Sequence, residues 1–448
     1  MAKLRYGPDG STSSQLELVV DGEVVEEFDL RPSIRELRAA QQKHAPRLDL
    51  YDAELQCPEC QTVIDEDTRF AEANNKILCQ SCAESQDVET PAGSDLSVTH
   101  DPTKTVLGES DLYHKRLMDY NVNIGTGCTH GCAFCYVPAT PQIRTQQDRL
   151  ADAAGVEDSA AEWGDYVLYR DDAPERLRRQ LGSWERRGFD GWQRTEEGRG
   201  IVGLSFHTDC YQSPRAADIT RACVRELVHH DRYVRILTRS PIVTRDTDLF
   251  TEASEQVTVG MSIPSLDDDA LRSIETTAPP PTARLEALRE LSDAGVQTYV
   301  SMGPTLPTQD KADLRELLQE LSSVDPSVIF HEPLNPKGPN FNRTVAAARE
   351  RGQDELADKI DQLGHDRVWR EYAVEQIRWV HELGRELGLP VYCWPDDRLK
   401  SGNYADYAQW WRRQESPEPF AGREPEWKVP PELPVSAPEP QAAIGDFS

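Results

Sequence analysis

The chain has 448 residues, enough for more than one domain and for a large hydrophobic core. Its 49 Lys and Arg residues against 78 Asp and Glu residues give a net charge of −29, which argues against broad affinity for nucleic acid, because binding to phosphate groups depends on Lys and Arg. Ten of the 49 cations are lysines, and this acidic, lysine-poor composition predicts a halophilic protein, the alternative being an ordinary acidic protein with an acidic tail.

Residues 1–95 are predicted to form a small N-terminal domain. Apolar residues on both sides of Asp21-Gly22 predict a β-hairpin. Four cysteines follow with the spacing C-x2-C-x18-C-x2-C, which is typical of zinc bound by four thiolates. They are Cys57, Cys60, Cys79 and Cys82. We predict a zinc-ribbon-like module that binds Zn²⁺, with a rubredoxin-like iron site or a second cluster as the alternative, and a linker over residues 96–114.

Residues 115–345 alternate short β-rich runs with helical patterns. The β-rich runs are Asn121–Ile124, Ile201–Phe206, Tyr233–Leu237, Val257–Ile263, Val296–Met302 and Ser327–His331. This alternation predicts an α/β fold with a parallel sheet, and six strands fit a partial (β/α)6, TIM-like barrel. Ligands of such folds bind at the carboxyl ends of the strands, so we expect the functional site there.

Two further segments follow the predicted barrel. Residues 346–413 are expected to form a helical C-terminal extension, because an amphipathic pattern runs from Trp369 to Leu387 and ends at Gly388. Residues 414–448 are rich in Pro and Glu, a composition typical of a disordered tail.

The sequence also predicts a cytoplasmic protein. Its first residues contain no apolar region of the kind that marks a secretion signal. No stretch comes near the roughly 18 continuous apolar residues of a membrane span, so we expect no membrane partner. Ten cysteines in a large chain of this kind are typical of metal ligands and buried thiols, not of a disulfide framework.

Three cysteines lie in a glycine-rich loop directly after the first predicted barrel strand. Cys128, Cys132 and Cys135 have the spacing C-x3-C-x2-C. At this spacing each thiolate can bind one iron of a [4Fe–4S] cluster, which leaves the fourth iron without a protein ligand. An iron without a protein ligand can bind an external molecule. The cluster is therefore suited to reacting with a substrate rather than only transferring electrons. A zinc or structural site that lacks one ligand is the alternative.

The three-cysteine loop and several segments beyond it resemble the radical S-adenosylmethionine (SAM) superfamily. More narrowly, they are similar to its DNA repair photolyase-like or spore photoproduct lyase-like branch. The resemblance covers roughly residues 115–345. The segments that carry it are Cys128–Tyr136, Tyr166 with Ala173–Leu181, Ser205–Gln212, Ile236–Ile242 with Arg245-Asp246, Met261–Ile263, Ile274–Pro280 with Arg284–Glu286, and Pro304–Pro307.

The resemblance implies an enzyme that uses a [4Fe–4S] cluster to cleave SAM reductively. The products would be methionine and a 5′-deoxyadenosyl radical, which abstracts hydrogen from an unreactive C–H bond. A lyase-like, photolyase-like reaction on nucleic acid is the first hypothesis that follows. The second is radical modification of a protein, a peptide or a small molecule. The third is a non-catalytic iron–sulfur and zinc protein that transfers electrons or mediates contacts.

Two partners are expected on this reading, a reductase or ferredoxin-type electron donor and nucleic acid. Residues 175–199 contain seven arginines together with Trp184 and Trp192. This mixture is typical of contacts with nucleic-acid backbones and bases. A solvated helix face with buried tryptophans is the alternative.

The resemblance also implies a set of residues that contact SAM next to the cysteine loop. They are Tyr136, Thr208, Asp209, Arg239, Ser262, Glu275 and Arg284. In spore photoproduct lyase a cysteine just before the residue that matches Asp209 returns the hydrogen atom, whereas Phe206 stands at that place here. Cys210 is therefore the candidate catalytic hydrogen donor, with a plain pocket thiol as the alternative.

Overall fold

The computed structural model describes residues 101, 106–115, 117–186, 200–204, 207–275, 277–335 and 338–414, and the backbone of eight short strands before residue 101. Two of those strands, Leu16–Val20 and Glu23–Phe28, pair antiparallel and confirm the predicted hairpin. Several predictions lie outside the described residues. They are the ligand side chains of the zinc module, Phe206, Trp192 and the tail from residue 415.

Strands and helices alternate through most of the described chain. The strands are β1 (Ala2–Tyr6), β2 (Leu16–Val20), β3 (Glu23–Phe28), β4 (Leu55–Gln56), β5 (Val63–Ile64), β6 (Phe70–Ala73), β7 (Lys76–Cys79), β8 (Ser97–His100), β9 (Leu107–Glu109), β10 (Tyr120–Val122), β11 (Gly125–Gly127), β12 (Tyr166–Tyr169), β13 (Ile201–Leu204), β14 (Tyr233–Thr238), β15 (Val257–Ser262), β16 (Gln297–Thr305), β17 (Ile329–Pro333) and β18 (Val391–Cys393). The α-helices are α1 (Pro141–Arg144), α2 (Gln147–Ala154), α3 (Ala173–Arg186), α4 (Pro214–His229), α5 (Thr247–Glu252), α6 (Asp268–Ile274), α7 (Pro281–Asp293), α8 (Lys311–Ser322), α9 (Pro339–Glu350), α10 (Asp354–Gln362), α11 (Asp366–Leu387) and α12 (Ala405–Arg412). Within the described segments, no helix has the length and apolarity that a membrane crossing requires.

The central sheet has eight strands in the order β18-β17-β16-β15-β14-β13-β10-β9. Neighbouring strands from β10 to β18 run parallel, and β9 joins β10 antiparallel at the edge. Strands β10 and β13 to β17 coincide with the six predicted β-rich runs, which confirms the α/β class with a parallel sheet. Strand β18 comes from the segment interpreted as a helical extension and adds a further parallel strand.

Local sequence explains where helices begin and end. Asp310 accepts hydrogen bonds from the N–H groups of Ala312 and Asp313, and the Asp313 carboxylate accepts one from the Asp310 N–H, a capping box that begins α8. A cap of this kind stabilises a helix by about 1 kcal/mol. Helix α11 ends at Gly388, as predicted. Gly388 has a φ of 71°, a left-handed conformation that glycine adopts without strain.

A small second sheet, β11-β12-β8, leads the chain into the cysteine loop. Strand β11 pairs antiparallel with β12 and ends at Gly127. Gly127 has a φ of 95°, and a Cβ atom there would lie 2.2 Å from the carbonyl oxygen of Tyr166. Glycine is therefore required where the chain leaves this sheet one residue before Cys128.

The C-terminal helices form a second hydrophobic core that packs against the cysteine loop. This core contains Ala133 of the loop, Ile274 of α6 and Trp369 of α11, and the half-buried Phe134 packs against it. The Trp369 indole N–H also donates to the Leu334 carbonyl oxygen at 3.1 Å. Burial of apolar surface stabilises this contact by about 25 cal/mol per Å². The C-terminal extension therefore helps to position the loop.

Candidate functional site

The loop between β11 and the helical turn Val137–Ala139 carries the three predicted iron ligands. Cys128, Cys132 and Cys135 are free thiols, of which Cys132 is buried and the other two are half-buried. Burial raises the pKa of all three, to about 12 for Cys132. Thiolates in such surroundings need positive charge to stabilise them, and a bound metal provides it. The donor set therefore fits a metal centre.

The same thiols fit a [4Fe–4S] cluster. In the part of the chain that the structure describes, no three His, Cys, Asp or Glu side chains converge on a single metal-ion position. A cubane requires a different arrangement, in which each cysteine binds its own iron. Cys132 is close enough to influence the pKa of Cys128, and Cys135 that of Cys132. The loop thus offers three neighbouring soft donors for three irons.

Helix α9 holds the cysteine loop through hydrogen bonds to the loop backbone. Asn340 Nδ2 donates to the Phe134 carbonyl oxygen at 2.8 Å. Arg343 donates from Nε to the Ala133 carbonyl oxygen at 2.9 Å and from Nη2 to that of Cys132 at 3.2 Å. Neither side chain could be identified from the sequence, because the spacing of residues within the loop carries no signal for partners so far along the chain.

Glu275 joins the loop to two predicted SAM contacts. Its backbone forms an isolated antiparallel bridge with Cys132. Its buried carboxylate accepts hydrogen bonds from Arg239 Nε at 3.0 Å and from Arg284 Nη2. Arg284 is also buried, and its Nη1 donates to the Ser262 carbonyl oxygen at 3.0 Å. Burial alone would raise the pKa of Glu275, but the two guanidinium groups lower it, so the carboxylate is charged at neutral pH.

Hydrogen-bond donors surround the buried carboxylate of Asp209. Its Oδ1 accepts hydrogen bonds from Thr238 Oγ1 at 2.6 Å and from the Tyr211 N–H at 2.9 Å. Its Oδ2 accepts one from the Arg239 N–H at 2.8 Å and lies 3.1 Å from Nε2 of His130 in the cysteine loop. Burial would raise the pKa of Asp209, but His130 and the other donors lower it to about 2. Asp209 therefore links the loop to the carboxyl end of β14 as an anion.

Gln212 forms a second link between the loop and the segment after β13. Its Oε1 accepts a hydrogen bond from the Thr129 N–H at 2.6 Å, and its Nε2 donates to Thr208 Oγ1 at 2.6 Å. The Thr208 hydroxyl in turn donates to the Gly127 carbonyl oxygen. Gln212 lies in a segment that carries the resemblance, but the resemblance implies no role for this residue.

The structure brings most of the predicted SAM contacts together in this network. Its members are Thr208, Asp209, Arg239, Ser262, Glu275 and Arg284. Tyr136 lies at the surface end of the loop, with 52% of its area exposed. Cys210 is fully buried in the main hydrophobic core, and its carbonyl oxygen accepts a hydrogen bond from Thr220 Oγ1. The SAM contacts and the hydrogen-donor role of Cys210 stay predictions.

Trp163 packs against the loop from the side of the small sheet. Its ring is buried and meets Tyr166 edge to face, with ring centroids 5.8 Å apart. Its indole N–H is buried without a hydrogen-bond partner of good geometry. Burial raises the pKa of Cys135, and this N–H is one of the groups that oppose the effect. The Trp163 indole therefore packs close to the side chain of Cys135, a predicted iron ligand.

Comparison with known proteins gives one family and several relatives. The model described as the radical SAM superfamily matches residues 122–321. The chain is 30% identical over 246 residues to an uncharacterised protein of Acidianus two-tailed virus, covering 54% of this chain and 75% of that protein. It is 26% identical over 212 residues to an uncharacterised protein of Mycobacterium tuberculosis, covering 46% of this chain and 55% of that protein. The chain thus spans about half the length of the mycobacterial relative.

Among solved structures, spore photoproduct lyase complexed with dinucleoside spore photoproduct aligns with a TM-score of 0.46 and 14% identity. The alignment covers 66% of this chain and 80% of that chain. SuiB of Streptococcus suis bound to S-adenosylmethionine aligns with a TM-score of 0.37 and 12% identity, covering 64% of this chain and 51% of that chain.

Proposed function

We propose that this protein carries out radical chemistry on a nucleic-acid or nucleotide substrate in a lyase-like reaction. The chain belongs to the radical SAM superfamily. Membership of this superfamily implies an iron–sulfur enzyme, and the [4Fe–4S] cluster, when bound, supplies the electron that cleaves SAM reductively to a 5′-deoxyadenosyl radical. The observation that carries the enzymatic part of the proposal is the loop in which the buried Cys132 and the half-buried Cys128 and Cys135 would hold the cluster.

The remaining residues of the site position this loop and its ligands. The Glu275 and Arg284 side chains are paired with each other and are 1% exposed, so their charged groups already have partners within the protein. Arg239 bonds to the same carboxylate but is 19% exposed, and its guanidinium lies 5.6 Å from the centroid of the Phe134 ring. We therefore assign Glu275 and Arg284 to positioning, and Arg239 to the SAM carboxylate, because a guanidinium pairs well with that group.

The nucleic-acid part of the proposal draws on the segments that resemble the photolyase-like branch. The described part of the arginine-rich stretch adds little support. Arg176 is paired with Asp172, and Arg178 with Glu226. These two cations are neutralised within the protein, so a phosphate backbone would compete with existing ion pairs.

Anaerobic reconstitution of the full chain with iron and sulfide tests the proposal. With SAM and dithionite present, we expect 5′-deoxyadenosine to form, and we expect ultraviolet-irradiated DNA or RNA to increase its formation at high salt. A fully loaded protein that forms no 5′-deoxyadenosine would contradict the enzymatic proposal. SAM cleavage that neither DNA nor RNA stimulates, with no change of mass in either, would contradict the substrate class alone.

Trp163→Phe is expected to shift the midpoint potential of the reconstituted cluster to a more negative value. Phenylalanine keeps the ring contact with Tyr166 but lacks the N–H, and hydrogen bonds to cluster sulfurs help to set such potentials. A redox titration followed by EPR measures the shift. Trp411→Phe, which removes a buried indole N–H in α12, is the control and should leave the potential unchanged. Equal midpoint potentials in Trp163→Phe and Trp411→Phe, at equal cluster content, would disprove the contact between the Trp163 indole and the cluster ligand.

Four further predictions from the sequence belong to the same proposal. The zinc module would bind Zn²⁺ through its four cysteines, and a reductase or ferredoxin-type protein would supply the electron. The acidic, lysine-poor composition would keep the protein soluble at high salt, and the enzyme would act in the cytoplasm. Metal analysis of the purified full chain, with zinc counted apart from iron, tests the first of these.

A further inference from the structure

A chamber lies on one face of the central sheet, beside the site described above. Side chains on a strand alternate between the two faces of a sheet, so residues two apart share a face. The chamber is lined by such pairs on four strands and the residues that follow them. They are Arg235 and Leu237, Tyr299 and Ser301, Phe330 and Glu332, and Tyr392 and Trp394, with Lys115, Leu117 and His331 at the border.

The chamber adjoins the predicted SAM contacts. Ser301 is the register partner of Ser262 on the neighbouring strand. A molecule bound in the chamber would therefore lie close to the place where the predicted SAM contacts meet.

Gly260 gives the chamber its shape. It lies between Leu237 and Tyr299 in the register of the sheet. A Cβ atom at Gly260 would lie 2.3 Å from Cζ of the Tyr299 ring. Glycine thus allows the Tyr299 ring to lie flat against β15, which leaves space above the sheet that a larger side chain would fill.

The lining combines aromatic rings with positive charge. The Tyr299 and Phe330 rings meet edge to face at 5.7 Å, and Phe330 meets Tyr392 in the same way at 5.8 Å. The buried Arg235 guanidinium lies 5.6 Å from the centroid of the Tyr299 ring and 5.1 Å from that of Phe330. Such an arrangement attracts planar groups and anions.

The polar groups of the chamber point to a ligand with a polar ring edge. Tyr299 is 2% exposed, and its hydroxyl is buried without a hydrogen-bond partner. Burial raises the pKa of Tyr299, so this hydroxyl stays protonated and can donate. A buried hydroxyl without a partner costs free energy that a ligand could recover. At the border, Lys115 Nζ lies 3.2 Å from Glu332 Oε1.

We propose that this chamber binds a nucleoside monophosphate unit, which names the substrate class and so rests on the proposed function. The base would lie among the aromatic rings with its polar edge at the Tyr299 hydroxyl, and the phosphate would lie toward Arg235, since Lys115 is already paired with Glu332. Phenylalanine fits less well, because its phenyl ring has no polar edge for the Tyr299 hydroxyl.

Equilibrium dialysis of the full chain with each of the four common ribonucleoside and deoxyribonucleoside 5′-monophosphates tests the proposal. The assay omits SAM and dithionite, so its outcome does not depend on catalysis. At least one monophosphate should bind, and its nucleoside, inorganic phosphate and phenylalanine should bind at least tenfold more weakly. The affinity of a short oligonucleotide that ends in the preferred nucleotide is then compared with the affinity of the free monophosphate. The ratio shows whether the chamber prefers a free nucleotide or one within a strand.

Tyr299→Phe should weaken binding of the preferred monophosphate by about three- to tenfold, the effect of one neutral hydrogen bond. The melting temperature of this variant should stay the same or rise, because a buried hydroxyl without a partner is removed. Tyr407→Phe, which removes a buried hydroxyl in α12 outside the chamber, is the control and should bind as the wild type does. Absence of monophosphate binding, equal binding of the nucleoside, or unchanged affinity in Tyr299→Phe would each overturn the proposal.

Discussion

Cys132→Ala is expected to abolish both cluster binding and SAM cleavage while the chain remains folded. Cys132 is the most buried of the three loop cysteines, and its backbone is held by Glu275 and Arg343. Those contacts involve backbone atoms, so alanine preserves them. Two thiolates are too few to hold a cubane at three corners. We expect iron and sulfide to fall from about four of each per chain to a small residue, and 5′-deoxyadenosine to fall below detection.

Cys223→Ala is the matched control for this prediction. Cys223 is a fully buried free thiol on α4, in the main hydrophobic core and not in the loop. Its replacement should cost about 1 kcal/mol of stability and leave the iron content unchanged. If Cys132→Ala kept the full iron content and the wild-type rate, the three-cysteine loop would not be the cluster site.

Glu275→Gln is expected to lower the free energy of unfolding by about 3–5 kcal/mol. The substitution removes the negative charge of a buried ion pair and leaves the positive charge of Arg284 uncompensated. The side chains of Glu275 and Arg284 are 1% exposed, so water cannot take over the lost interaction. Denaturant unfolding of the apoprotein measures the loss. The loop should also become less ordered at Cys132, which hydrogen exchange of the loop amides detects.

The pH dependence of stability provides a second readout for the Glu275 prediction. Because the pKa of Glu275 is lowered on folding, its stabilisation is complete above the usual value of 4.5 and is lost as the pH falls through the lowered value. Glu275→Gln should flatten this acid limb. Glu226→Gln, which breaks the exposed pair with Arg178, is the control and should change stability little. Equal losses in the two variants would contradict a special role for the buried pair.

The sheet and the cysteine loop could be predicted because their signals are local. Six β-rich runs separated by helical patterns are enough to place β10 and β13 to β17. The C-x3-C-x2-C spacing is likewise contained in eight residues, Cys128–Cys135. The three-residue strand Val391–Cys393 was not predicted, because a segment that short shows no periodicity and is defined by its pairing with β17.

The contacts that position the loop could not be predicted from the sequence. Asn340 and Arg343 reach the loop from α9, and their partners are backbone carbonyl groups that leave no trace in residue type. Trp163 and Tyr299 look like ordinary buried aromatic residues in the sequence. Their hydrogen-bonding groups become informative only when the fold shows that each is buried without a partner of good geometry. Tertiary packing, rather than local propensity, determines all four positions.

Mössbauer spectroscopy of the ⁵⁷Fe-reconstituted full chain, with and without SAM, tests the central claim most directly. Three cysteines should hold a [4Fe–4S] cluster with one iron that lacks a protein ligand. We therefore expect one quarter of the iron signal to change when SAM is added, and the other three quarters to stay as they were. A spectrum in which SAM changes none of the iron, or an X-ray absorption spectrum that assigns zinc to Cys128, Cys132 and Cys135, would contradict the account.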